Sequence, residues 1–183
     1  MSKDSNVMGK ILFDEKAIRD RAAEIGKQIT EDFAGEDVVA LCTLKGSLPW
    51  TADVIKNIDL DLVLDFIKAS SYGSSTVSSG VVKISIEPKE NLYNKNVIII
   101  EDIIDTGNTL NYLVKKLEER HPKCIKICTM LNKEERRVAD IHGDYVGFEV
   151  DDLFVVGYGL DYDEKYRNLP YISYLEAEDI EKL

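Results

Sequence analysis

The chain has 183 residues, 44% of them apolar and 31% charged, the balance of an ordinary globular protein with room for a sizeable core. Its formal net charge of −11 argues against a nucleic-acid partner, which needs a basic face, but not against a phosphorylated small molecule held by backbone amides and a cation. No apolar run reaches the length of a membrane span, and residues 1–9 lack the apolar middle of a signal peptide. The expectation is therefore one cytoplasmic domain over residues 1–183 with no membrane partner.

Residues 10–13 read as a short edge strand. Asp14 suits the N-cap of a helix whose Ile18, Ala22, Ile25, Ile29 and Phe33 form one apolar stripe, with Gly35 as its stop. Residues 37–43, DVVALCT, read as a buried strand that ends in Leu44-Lys45-Gly46-Ser47. A helix over about 48–57 should follow, with Ser47 able to cap it and Pro49 in its first turn. Lys45 taken alone is a solvated lysine, but at the carboxyl end of a parallel strand it stands where such sheets bind ligands. Residues 60–68 place Leu60, Leu62, Leu64 and Phe66 on one face of a half-buried strand. Residues 69–80, ASSYGSSTVSSG, with six serines, read either as a floppy hairpin tip or as a mobile lid bearing Tyr72. Residues 81–86 alternate again and are expected to pair back with 60–68.

Residues 97–110, VIIIEDIIDTGNTL, organise the rest. The β-branched run 97–100 is too short for a helix and suits a parallel strand buried on both faces. Glu101 and Asp102 follow directly, and two adjacent carboxylates shedding water at such a strand's exit need a divalent cation or a donor-rich ligand to compensate them. Asp105-Thr106-Gly107-Asn108-Thr109 then makes a tight loop, and Leu110, Leu113, Val114 and Leu117 fall at helical spacing. A helix N-terminus beside such a loop favours an anion.

Pro122 breaks that helix. Residues 124–131, CIKICTML, form the next buried strand, ending at Asn132-Lys133, and 134–137 make a charged turn read mostly as a solvated face. Residues 145–150 and 153–157 are two more strands, residues 160–166 lead to Arg167, and 168–170 are taken to end regular structure. Cys42, Cys124 and Cys128 sit in strand-like segments as core thiols. The last two would lie about 13 Å apart along a strand, too far for a disulfide. Strands alternating with helices indicate an α/β fold with a mainly parallel central sheet flanked by helices. In such sheets ligands lie across the carboxyl ends of the strands.

Residues 97–110 resemble the phosphoribosyl-pyrophosphate (PRPP) loop of the type I phosphoribosyltransferases. The LKGS loop, the SSYG lid, EDIIDTGNT, the lysine after CTMLN and FVVGYGLDYDEKYRNLPYI together resemble the short bacterial hypoxanthine-guanine phosphoribosyltransferases over almost the whole chain. The resemblance implies that family's fold, with a small hood built from terminal segments and a hairpin lid over about 69–80. It also implies purine salvage: a 6-oxopurine displaces pyrophosphate from PRPP, with Mg2+, giving IMP or GMP. By the same resemblance, Glu101 and Asp102 hold the ribose hydroxyls and the metal, and Asp105 takes the N7 proton. Asp105, Thr106, Gly107, Asn108 and Thr109 surround the 5′-phosphate. Lys45 and Gly46, behind a cis peptide from Leu44, meet pyrophosphate together with Ser71, Tyr72 and Arg167. Lys133 donates to O6, Phe154 stacks on the ring, the Val155 backbone meets the purine edge, and Asp161 holds a second magnesium near the 2-position. Relatives assemble as homodimers or homotetramers. Asn108 stands where mammalian members carry lysine, which shifts phosphate binding onto amides and the two threonines.

The chemistry asked of these residues is coherent. Departure of pyrophosphate leaves an oxocarbenium-like centre that carboxylates stabilise, a base must take the purine proton, and water must be kept out. Three competing readings remain at this level. One is a non-catalytic PRPP- or nucleotide-sensing regulator of the same fold. Another is the same enzyme class acting on xanthine. The third is a phosphoacceptor receiver domain, whose acidic pair should follow the first strand.

Overall fold

A computed structural model describes residues 10–71 and 82–176, with the side chains of 70 and 71 excluded. Tyr72, the Ser71 side chain and residues 72–80 of the expected lid therefore lie outside the described residues, as does the 1–9 segment.

The first helix forms as its sequence dictates. β1 (Lys10–Phe13) leads to Asp14, whose carboxylate accepts from the Ala17 amide at 2.7 Å, and α1 (Glu15–Asp32) buries Ile18, Ala22, Ile25 and Ile29. Phe33 returns its amide to Ile29 O, and Gly35 takes the positive φ of 78° that ends the run. β2 (Val38–Thr43), β3 (Leu62–Ser71), β5 (Asn96–Ile104), β6 (Cys124–Asn132) and β7 (Tyr145–Glu149) pair in parallel, and β4 (Val82–Ile86) adds an antiparallel edge. The order is β4-β3-β2-β5-β6-β7.

The continuous apolar runs of β2 and β5 are explained by what covers them. Val38, Ala40, Ile98 and Ile100 face α1 and α2 (Leu48–Ile55), whereas Val39, Leu41, Val97 and Ile99 face α3 (Asn108–Glu118) through Leu110, Leu113 and Leu117. Each strand thus serves two cores, one on each side of the sheet. Among the described residues no helix is long and apolar enough to cross a membrane.

Several expectations need correcting. Ser47 does not cap α2: its hydroxyl turns back and donates to Thr43 O at 2.7 Å, which closes the loop between β2 and α2. The hairpin exists, but β4 pairs only with residues 68–71 of β3, while residues 62–67 pair with β2 on the other edge of the strand. Of the apolar face expected over 60–68, Leu60 and Leu62 are half-buried against the core on the α1 and α2 side, but Leu64 stays 38% exposed, and the fully buried Ile67 lies on the opposite face, so both faces are partly covered. β5 does not stop at Ile100 but continues through Ile104, since β6 pairs with it along that length. Regular structure also resumes after residue 170. β9 (Ile172–Leu175) pairs antiparallel with β1 and with β8 (Phe154–Val156), and this three-stranded β1-β9-β8 sheet is the hood.

Asp14→Ala removes the one side-chain acceptor at the start of α1 and is expected to lower unfolding free energy by about 1 kcal/mol. Urea titration should show this as a lower midpoint with an unchanged slope.

Candidate active site

The carboxyl ends of β2, β5 and β6 converge, and the acidic pair sits where they do. Glu101 and Asp102 are inside β5, both half-buried, with Glu101 opposite Thr129 of β6. Thr43 Oγ1, at the end of β2, lies 2.9 Å from Glu101 Oε1 and 2.8 Å from Ile100 O. The Asp102 amide donates to Glu101 Oε1 at 3.1 Å and the Ile103 amide to Asp102 Oδ1 at 2.8 Å. Shielding from water, and then the Asp102 charge beside it, hold the Glu101 carboxyl well above the usual carboxylate range. The pair is short of positive compensation, as the sequence implied.

Glycines let the loops approach this pair. The Leu44–Lys45 peptide is cis, and Gly46 packs so closely on Asp102 that a β-carbon there would lie 1.5 Å from Oδ2. Gly159, at φ 99°, rests in turn on Gly46, where a β-carbon would lie 1.9 Å from Gly46 O. Arg167 donates to Gly159 O at 2.7 Å and pairs with Asp161 at 2.8 Å, while Lys45 pairs with Glu164 at 2.8 Å. That last contact holds the Glu164 carboxyl below its ordinary range.

Between these loops and the start of α3 lies a cavity of about 320 Å³ walled by Lys45, Gly46, Glu101, Asp102, Asp105, Thr106, Gly107, Thr109, Asp161 and Arg167. Gly107 caps α3 at φ 79°, and a side chain there would meet Ile141 at 2.7 Å. Asp105 Oδ1 is shielded from solvent and has no hydrogen-bond partner among the described residues; Arg136 Nε stands 3.4 Å away, an ion-pair rather than a hydrogen-bond contact. Asn108 begins α3 but is exposed and is not among the cavity walls.

Lys133, Phe154 and Val155 lie beyond those walls. Lys133 is 6% exposed, its ammonium donating to Leu153 O at 2.6 Å and standing 3.7 Å from Asp152. Phe154 leaves 44% of its surface exposed and meets the edge of Tyr162 at 5.6 Å. Val155 is buried and pairs with Tyr174 of β9. Arg136 links this side to the cavity, since it contacts Asp152 and Asp105 at 3.4 Å each.

The cavity thus brings together a paired acid, an aspartate without a hydrogen bond and a helix start. The phosphoribosyl transferase domain family matches residues 8–163. Curated relatives include hypoxanthine-guanine phosphoribosyltransferases of Streptococcus thermophilus, 49% identical over 92% of this chain and 94% of the relative, and of Bacillus subtilis, 51% identical over 91% and 93%. The chain belongs to this family. A solved hypoxanthine phosphoribosyltransferase from Staphylococcus aureus superposes with a TM-score of 0.92 at 43% identity, covering 97% of this chain and 98% of that one. A hypoxanthine-guanine phosphoribosyltransferase from Bacillus anthracis gives 0.89 at 44%, covering 93% and 100%. The fold is that of the type I phosphoribosyltransferases, and the regulator reading is not favoured.

Within this phosphoribosyltransferase, sequence reasoning passed over four residues. Gly159 was seen only as part of a motif, because its closeness to Gly46 depends on the hood. Tyr162 is the aromatic neighbour of Phe154. Arg136 and Arg137 were assigned to a solvated turn, yet Arg137 bonds to the carbonyls of Ile104 and Asp105. Two adjacent arginines three and four residues past the strand-end Lys133 were the only signal.

Gly46→Ala forces Asp102 aside, and a misplacement of that size should lower kcat/KM by about 10²-fold. Steady-state kinetics beside a thermal melt would separate this from unfolding. For Glu101 the sign runs toward acid: a carboxyl whose folded pKa is raised adds stability below its unfolded pKa and loses it as pH rises through the folded value. Glu101→Gln stays neutral, so it should melt above the wild type near about pH 8 and together with it near about pH 4.

Proposed function

We propose that the chain transfers the 5-phosphoribosyl group of PRPP to N9 of hypoxanthine or guanine, releasing pyrophosphate and forming IMP or GMP. The relatives' names support the substrates, and one observation supports the chemistry. Asp105 Oδ1, shielded and without a hydrogen bond, belongs to the cavity wall, and Arg136 beside it also contacts Asp152, the neighbour of Lys133. A shielded acceptor free of hydrogen bonds, with Arg136 beside it only at ion-pair distance, is suited to receive a proton that arrives with the substrate.

In this reading the amides and hydroxyls of Thr106, Gly107, Asn108 and Thr109 hold the 5′-phosphate at the α3 N-terminus. The N9–ribose bond forms as the bond to pyrophosphate breaks, and Asp105 takes the proton that leaves N7. Lys45, the Gly46 amide and Arg167 receive the pyrophosphate, with Ser71 and Tyr72 closing over it. Lys133 donates to O6, Phe154 stacks on the ring and Val155 meets the purine edge.

Mg2+ suits the donors present. They are carboxylates only, Glu101 and Asp102 lack compensation, and among the described residues no three ligating side chains form a cage. Mg2+ is usually held by one or two carboxylates plus substrate phosphates. Glu101 and Asp102 would hold one ion, and Asp161 a second after releasing Arg167; bound metal neutralises charge on the leaving group. A homodimer or homotetramer is the assembly proposed, since Val63 and Leu64 on β3 remain 45% and 38% exposed. The chain acts in the cytoplasm as a single domain.

Incubation with PRPP, Mg2+ and hypoxanthine, guanine, xanthine, adenine or uracil tests the reading. Nucleotide from hypoxanthine or guanine is expected, and product from none of the bases would sink it. Asp105→Asn should lower turnover by about 10²–10⁴-fold with the fold intact, and near-full activity would remove Asp105 from the mechanism.

A further inference from the structure

Three successive carbonyls leaving β5 face the same neighbouring segment. Ile104 O accepts from the Lys133 amide at 3.0 Å and from Arg137 Nη2 at 3.2 Å. Asp105 O accepts from Arg137 Nε at 3.1 Å, and Thr106 O from the amides of Val138 and Ala139 at 3.0 and 3.1 Å. In a planar trans peptide each carbonyl points opposite the amide that follows it. The amides of Asp105, Thr106 and Gly107 are therefore turned away from residues 133–139, toward the cavity that these residues line. Successive amides aimed one way form a cradle for an anion.

Arg137 is the only side chain among those partners of the three carbonyls. Its remaining donors go to Ile141 O and Asn132 Oδ1, and its stem lies against Gly107, where an added β-carbon would sit 3.1 Å from Cδ. All four acceptors are neutral. Among the described residues no carboxylate comes within ion-pair distance of this part-buried guanidinium. A cation shielded from water and left without a counter-charge, directly beneath an amide cradle, is compensated when an anion enters.

We propose that Arg137 is the positioning residue of the phosphate loop. It pins the carbonyls of Ile104 and Asp105 so that the loop amides face the 5′-phosphate, it fixes the backbone of Asp105, and it supplies positive charge under the loop. The proposal rests on the reading of this loop as the PRPP phosphate site. The fork geometry is essential, because one ammonium cannot reach Asp105 O, Ile104 O, Ile141 O and Asn132 Oδ1 together.

The test compares wild type with Arg137→Lys, which keeps the charge, and Arg137→Met, which keeps the bulk. KM for PRPP and the calorimetric Kd for GMP should each rise about tenfold for Arg137→Lys and more for Arg137→Met, the scale of losing one or two hydrogen bonds. KM for the purine at saturating PRPP should stay within about twofold, a split that general loosening of the fold would not produce. Equal losses for purine and PRPP, or PRPP and GMP affinities within about twofold of wild type in both variants, would overturn the proposal. Loss of a cooperative melt in both would also overturn it, since Arg137 would then support the fold rather than the loop. If wild type binds GMP but transfers nothing to any base, the transfer reading fails while the GMP affinities still decide the role of Arg137.

Discussion

The structure depends on a close approach that no side chain could survive. Gly46 lies against the Asp102 carboxylate, and Gly159 lies against Gly46, so a loop after β2, a residue inside β5 and a hood loop meet with no β-carbon between them. Each loop is anchored on a different element: the first by the buried Ser47 hydroxyl on Thr43 O, the second by ladder bonds to β6, the third by Arg167 on Gly159 O. The parallel sheet supplies rigid ends, and the glycines convert them into one surface. Backbone therefore stands where a phosphorylated ligand can meet it, and fixed amides need no reorganisation when charge arrives.

An acidic chain can still bind a highly anionic substrate because charge is arranged locally. Lys45 and Arg167 are held by Glu164 and Asp161 of the same hood loop, and Lys133 by Leu153 O with Asp152 beside it. The Lys45–Glu164 pair is exposed, and such pairs are worth little, about 0–1 kcal/mol, so a phosphate group can exchange for that carboxylate at small cost. Glu101 and Asp102 are different. Shielded and adjacent, they repel each other, and an incoming cation, a donor or a proton on Glu101 relieves them. The cationic side of the site is thus easy to open, whereas its acidic side calls for a cation or donor.

What could be read from the sequence was whatever short-range physics decides. The stripe of α1, the buried runs of β2, β5 and β6, and the tight loop before α3 follow from periodicity and residue type over a few positions. Asp105, Lys45 and Arg167 could be located on segments that line one cavity, because strand ends and helix starts are legible, whereas the acidic pair lies inside β5 rather than beyond it. What could not be read depended on distant partners. Ser47 looks like a helix cap, but the buried Thr43 carbonyl needs its proton more. β9 has the composition of a tail until β1, from the other end of the chain, pairs with it. Arg137 looks solvated until three carbonyls are found above it.

The Asn108 position shows how the remaining parts share the work. Where a lysine would bring charge to the phosphate loop, asparagine starts α3 exposed, outside the cavity walls, whereas Thr106 and Thr109 form part of them. The burden falls on the helix itself. Lys115 and Lys116 in the last turn oppose the negative end of the helix dipole, leaving its positive end at Gly107 facing the cavity. The apolar face of α3 is fixed on the sheet by Leu110, Leu113 and Leu117, so that end cannot drift from the carboxylates of β5. Core packing and cap geometry are thus set by one strand-loop-helix unit, and a substitution in its core would be felt at the cavity that Gly107 and Thr109 line.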